Sequence, residues 1–486
     1  MIIVFLCLYS FQRSGLSAKN PGIYYNIEGF GSVSSGEYTP FWIVSNNWGI
    51  VPLKSGNAYL KAGIFQDKVI NKDWSYSLGL DMAVSSQHVY NTFWIQELYG
   101  ELNWKFIRLN IGSKEDYISL LDKNLSSGDF SYSQNMRPVP EIKLSIPDFV
   151  AIPYTGKFLS IKGDFAFGQM NDGEYLENTA DPNYYNFSKN PLLHHKSFYL
   201  KIGNIEENIS AFQFIAGINH MAMQGGDIYI SGRKMNFKNV GNRFSQIIFP
   251  GGKNQGNVMG ENYAEGSHSG DYLFMLNYKK QEQVYSLYLS HFFEDGSGLE
   301  WENYPDMMLG VQYKTNKQSF ISGALIEYIY TKNQSGPVQL NITENGQIDL
   351  AGVDGDDDYY NNYLYAQGKS YFGRSMGNPL FLSPEYNGDG RLYFKDNRFV
   401  SWHMGLEGFI NPQLTYRFLA TYIESLGRYD LPHRNAKKGF ASAVDVTRWN
   451  ILSPGWDIQL SLGLDQGKFF GNSLGAALTI RKRGVI

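Results

Sequence analysis

The chain has 486 residues, of which 16% are aromatic and only 18% charged, with 51 glycines. A formal net charge of −4 lacks the basic footprint of a nucleic-acid binder, so no nucleic-acid partner is expected. Beyond the first residues, no window approaches the roughly 18 consecutive apolar residues of a spanning helix, so any membrane crossing falls to strands.

The N-terminal run MIIVFLCLY has the length of a signal-peptide core, and residues 1–18 are read as a signal peptide. It departs from the usual pattern: no Lys or Arg precedes the run, Arg13 follows it, and Leu16 stands where a small residue is expected before a cut after Ala18. The single cysteine, Cys7, lies within it. Residues 19–486 are read as one barrel domain without cysteine.

The strand signal then repeats along the chain. In SYSLGLDMAV, Tyr76, Leu78, Leu80, Met82 and Val84 share one face, while Ser75, Ser77, Gly79, Asp81 and Ala83 share the other. The same period-two pattern marks Leu159 to Phe167, Phe212 to Ile218, Tyr272 to Tyr278, Tyr285 to Leu289, Val400 to Leu406 and Trp456 to Leu464. Weaker copies lie near Ile142 and Val444. The pattern predicts about eighteen strands of about ten residues each.

Short polar turns around Asn103 to Lys105, Ile205 to Asn208, Lys279 to Gln283, Thr315 to Ser319 and Ile410 to Gln413 alternate with longer segments. The longest run from Gln224 to Gly270 and from Thr331 to Asn397. Short turns at one end and long loops at the other predict an all-β, antiparallel up-and-down transmembrane barrel, its turns in the periplasm and its loops outside the cell. A soluble sandwich also alternates, but its outer face would be rich in Lys and Glu, whereas the polar face here is mostly Ser, Gly, Asn and Gln. The helix-compatible stretch KEDYISLLDKN, within Ser113 to Asn135, is expected to fold inward as a small helical plug, or else to leave an open channel.

Several segments resemble the Wzi-type capsule assembly family: GEYTPFWIVSNNWGIV (Gly36 to Val51), SYSQNMRPVPEIKLSIPDF (Ser131 to Phe149), HHKSFYLKIGN (His194 to Asn204), HFFEDGSGLEWENYPDMMLG (His291 to Gly310), DDDYYNNYLYAQGKSYFGRSMGNPL (Asp356 to Leu380) and GNSLGAALTIRKRG (Gly471 to Gly484). The resemblance is greatest to the branch found in Bacteroides-like bacteria. It implies an eighteen-stranded outer-membrane barrel acting as a surface lectin that anchors capsular or exopolysaccharide, as a monomer among outer-membrane lipid, with no catalysis. The ending RKRGVI departs from the aromatic terminus usual in such barrels.

Sugar binding uses aromatic faces and planar amides or carboxylates. Tyr359, Tyr360, Asn361, Asn362 and Tyr365 supply both and are candidates, with an interfacial girdle as the alternative. His291, Glu294 and Asp295 open an acidic loop that continues to Glu300 and Glu302. Paired carboxylates there could act on a glycosidic bond, but Gly296 and Gly298 fit an ordinary turn equally well, and no catalytic residue is assigned. Asp354, Asp356 and Asp358 resemble a hard-cation loop without its distal Glu; a solvated turn is preferred, and no metal or cofactor is expected. Arg428, His433, Arg434, Lys437 and Lys438 make a basic segment suited either to an acidic polysaccharide or to lipid head groups. Arg137 lies in the proline-rich NMRPVPE, where loop packing and ligand contact are equally open. No G-x-S-x-G elbow or phosphate loop is present. A channel, and less favourably a glycan or lipid hydrolase, are the alternatives to the lectin.

Overall fold

The computed structural model describes residues 22–486 apart from 87–91, 182–185, 236–256, 259–260, 263–265, 295, 337–338, 343–347, 355–356 and 452. The expected signal peptide, residues 1–18, therefore lies outside the described residues.

The repeated strands close into a single 18-stranded antiparallel sheet. The first nine are β1 (Ile23–Ser34), β2 (Asn57–Val69), β3 (Trp74–Ser85), β4 (Phe93–Trp104), β5 (Ile107–Ser113), β6 (Glu141–Ala151), β7 (Leu159–Gln169), β8 (Leu192–Ile202) and β9 (Phe212–Gln224). The second nine are β10 (Ser267–Lys280), β11 (Gln283–Phe293), β12 (Met307–Thr315), β13 (Gly323–Tyr330), β14 (Arg398–Asn411), β15 (Leu414–Gly427), β16 (Pro432–Arg448), β17 (Trp456–Gly467) and β18 (Ser473–Val485). Each pairs with its sequence neighbour. The circle closes where β1 meets β18, with Phe30 opposite Thr479 and Ile27 opposite Lys482. The weak signals near Ile142 and Val444 are the full strands β6 and β16.

Alternation sets the two faces. Leu78, Met82 and Val84 on β3, Leu287 on β11, Trp402 on β14 and Leu460 and Leu462 on β17 are exposed on the outside, as a lipid-facing wall requires. Their neighbours Asp81 and Ala83 are buried inward. No helix among the described residues is long and apolar enough to cross a membrane.

The lumen is filled. Segments 35–56, 114–140 and 357–397, all from the long-loop end, fold inward, and the latter two pack together at Phe130, whose ring stacks on Phe292 at 4.3 Å and meets Tyr359, Tyr360 and Phe381 edge-on. The helix α1 (Phe41–Val44) brings Trp42 inward, its indole donating to Thr421 at 3.1 Å. The stretch KEDYISLLDKN is indeed a plug, but not a helical one. Several of its polar groups, with that of the residue that follows, bond to the wall: Gln312 and Lys314 reach Asp122 at 2.9 and 2.6 Å, and His403 Nε2 lies 2.8 Å from the Leu125 carbonyl. Wall contacts thereby replace the hydrogen bonds that a helix would supply. Asn135, in the proline-rich segment, donates to the Ser375 carbonyl at 3.1 Å and is buried, so NMRPVPE packs the plug.

Several charged side chains that face the lumen are paired, such as Lys143 with Asp116 (2.9 Å) and Lys61 with Glu115 (3.4 Å). Between plug and wall, a cavity of about 10 Å³ beside Asp129, Ser131 and Asn219 has room for one water.

Candidate functional site

The candidate residues of the sequence separate into three environments. Tyr359, Tyr360 and Tyr365 are fully buried in the plug core and present no ring face to a sugar in solution. Tyr360 stacks on Phe381 at 4.1 Å, its backbone N–H donates to Glu294 at 2.8 Å, and its hydroxyl donates to the Phe130 carbonyl. Asn361 exchanges hydrogen bonds with the backbone of Phe394, and Asn362 accepts from the N–H groups of Leu364 and Tyr365. These amides are turn-forming. The pattern of aromatics and amides expected to bind sugar serves here to pack a plug, because both tasks need flat faces and paired donors.

The acidic loop is divided. His291 lies on the outer wall, covered by the Trp301 ring at 3.8 Å. Glu294 is salt-bridged to Lys369 at 2.6 Å; burial pushes its carboxyl up to about 7 against the pull of Lys369 and the Tyr360 N–H. Glu300 and Glu302 remain exposed, so the acids of this loop face different surroundings. Asp295 lies outside the described residues. Of the acidic triplet, Asp358 accepts from Asn361 and Asn397 and pairs with Arg428, while the side chains of Asp354 and Asp356 lie outside the described residues. Among the described residues no cluster of three or more His, Cys, Asp or Glu is arranged to hold a metal.

The basic segment forms one corner of the long-loop end, between β13 and β16. The Arg398 guanidinium lies over the Tyr429 ring at 3.5 Å, and Arg428 lies over Tyr393 at 4.9 Å while bridging Asp358 (2.7 Å) and Asp430 (2.9 Å). Burial would raise the Asp396 carboxyl, but the His433 hydrogen bond and the Lys437 charge, 3.0 Å away, hold it below the usual range. Arg434 and Lys438 are exposed beside this framework, Lys438 pairing with Glu424 of β15 at 3.0 Å. Arg137 sits elsewhere, between the rings of Trp94 and Phe372 at 5.4 and 4.4 Å, with Nη2 donating to the Ile95 carbonyl. Sequence reading missed Tyr393, Arg398 and the stacking role of Tyr429, because the first two come from the far end of the long connection between β13 and β14 and the third from the turn between β15 and β16. Chemically, the corner offers fixed guanidinium and ring faces suited to carboxylate-bearing sugars.

No family model matches the chain, and no curated protein matches it. Among solved structures it is similar to Wzi of Escherichia coli, described as an outer membrane protein involved in group 1 capsule assembly and a carbohydrate binding beta-barrel. That likeness has a TM-score of 0.56 at 12% identity, over 95% of this chain and 85% of that one. The fold is that of an outer-membrane barrel. This barrel is also similar to OccK5 (OpdH) of Pseudomonas aeruginosa, with a TM-score of 0.48 at 9% identity over 96% and 98% of the two chains. A BenF-like porin from Pseudomonas fluorescens Pf-5 gives 0.48 at 7% identity over 96% and 98%.

Proposed function

We propose that this outer-membrane barrel is a Wzi-type surface lectin that holds an acidic capsular or exopolysaccharide at its long-loop end, outside the cell, without cleaving it. The observation that carries this reading is the filled lumen. Three segments fold into the lumen, two of them packed together at Phe130, which argues for a binder over a channel. The carbohydrate-binding description of the E. coli barrel supports the same reading, and its fold is the one shared here.

The proposed contact is the corner of Arg398, Arg428, Arg434 and Lys438 with Tyr393 and Tyr429, in place of the buried tyrosines. Arg137, His291 and Glu294 act in packing. The test is binding of the detergent-purified barrel to the host's own surface polysaccharide, with chain length followed by chromatography. Saturable binding, unchanged polymer length and about tenfold weaker binding by R434A/K438A are expected. No binding would overturn the lectin, and shortened polymer would overturn the absence of catalysis.

A further inference from the structure

Beneath the basic corner, sheet register orders the outer wall in horizontal rows. Tyr328, Trp402, Tyr422 and Phe440 lie side by side on four consecutive strands, β13 to β16. Trp402 is 54% and Tyr422 40% exposed, and the rings of Tyr328 and Trp402 lie 4.8 Å apart. The two rows beneath are Ile326, Met404, Ala420 and Ser442, then Ala324, Leu406, Phe418 and Val444. Neither carries a charge. An unbroken row of four aromatic rings above an uncharged wall marks the level at which hydrocarbon gives way to head groups.

Charge begins in the next row, formed by Tyr330, Val400, Glu424 and Lys438. Lys438 pairs with Glu424, and Lys332, whose ammonium lies 5.2 Å from the centre of the Tyr330 ring, faces the same carboxylate from farther away. Arg398 stands beside them, its Nε donating to the Lys332 carbonyl at 3.2 Å. Three cations thus share one outward carboxylate at head-group level, while the buried Asp306 attracts Arg398 from beyond ion-pair distance. The stack of Arg398 on Tyr429 then leads into the loop side, because Tyr429 follows Arg428, which lies over Tyr393. The corner is one surface with lipid at its lower edge and water at its upper edge. A polymer free in solution reaches only the upper edge, whereas a ligand that uses the whole surface is apolar below, anionic in the middle and sugar above.

We propose that the acidic polymer held at this corner is bound by a lipid-linked end, its acyl chains against Trp402 and Tyr422, its phosphate against Lys332, Arg398 and Lys438, and its first sugars against Arg428 and Tyr393. This rests on the lectin reading above and adds the chemical class of the polymer's terminus. Phosphate suits the middle level because it offers acceptor oxygens both to the guanidinium fork and to the two ammonium groups, and its charge answers the surplus of cations.

The test measures binding of the detergent-purified barrel to two forms of the host's surface polysaccharide: as extracted with detergent, and after alkaline deacylation and phosphatase treatment. Phosphatidylglycerol serves as the competing lipid. The untreated form is expected to bind about tenfold more tightly than the treated one, and K332Q to remove about fivefold of that difference. Comparing the two forms on the wild-type protein decides the matter even where K332Q folds poorly. Equal binding of both forms, competition by phosphatidylglycerol as strong as that of the untreated polymer, or the lack of an acylated, phosphate-bearing end on the extracted polymer would each overturn the inference and leave the lectin standing. Binding of neither form would overturn the lectin and the inference with it.

Discussion

Phe130 shows what a single side chain does in this molecule. It is the meeting point of two inward segments and the wall, stacked on Phe292 and enclosed by Tyr359, Tyr360 and Phe381. Phe130→Ala should therefore lower stability by about 3 to 5 kcal/mol, read as denaturant unfolding in detergent micelles, because the cavity has rigid walls on every side. Asp172 and Asp306 carry a different kind of strain. Burial pushes each carboxyl up to about 7, although Asp306 accepts the N–H groups of Asn333 and Gln334 and Asp172 that of Phe372. Because the folded values exceed the unfolded ones, their contribution to stability is complete below the ordinary carboxylate range and is lost as pH rises through about 7. The thermal midpoint should be higher at pH 5.5 than at pH 8.5. Asp306→Asn should shrink that difference.

At the scale of elements, Glu327 on β13 is one of the groups that fasten the plug segment 114–140 to the wall. Ser126 Oγ donates to it at 2.6 Å, the Ser127 N–H at 2.8 Å and the Tyr288 hydroxyl at 2.6 Å. Glu327→Ala leaves three buried donors without an acceptor and should weaken the plug by about 3 kcal/mol. Faster trypsin cleavage after Lys123, with the strands intact, is the expected readout. The strands are legible in the amino-acid order because lipid on one side and a polar lumen on the other impose a period of two, plain in the alternation from Tyr76 to Val84. The inward segments have no such period. KEDYISLLDKN has helical composition, but it and the residues after it bond to Asp122, Glu327 and His403, all distant partners or side-chain turns that composition does not reveal. Tyr359 to Tyr365 mislead for a related reason: an aromatic and amide pattern fits a buried knot as well as a sugar platform.

The whole molecule is a greasy wall, a polar inner lining and a second apolar core inside that lining. Without segment 114–140 the lumen should fill with water, so a variant with that segment replaced by a short Gly-Ser linker should conduct ions in planar bilayers, whereas the intact chain should show little steady current. Strong current from the intact chain would remove the filled-lumen argument. Binding of an acidic polymer at the corner of Arg428 and Arg434 should also weaken as NaCl rises from about 0.05 to about 0.5 M, since exposed charges there are screened.

The seam between β1 and β18 has a consequence for how the chain can be rewired. There the Ile486 N–H donates to the Ile23 carbonyl at 2.8 Å, so the two ends of the barrel strands are neighbours across one hydrogen bond. A sheet closed into a ring has no intrinsic first strand. Joining 486 to 22 through a short linker and cutting the chain at the tight turn 281–282 should give a circular permutant with the same pairing, register and plug.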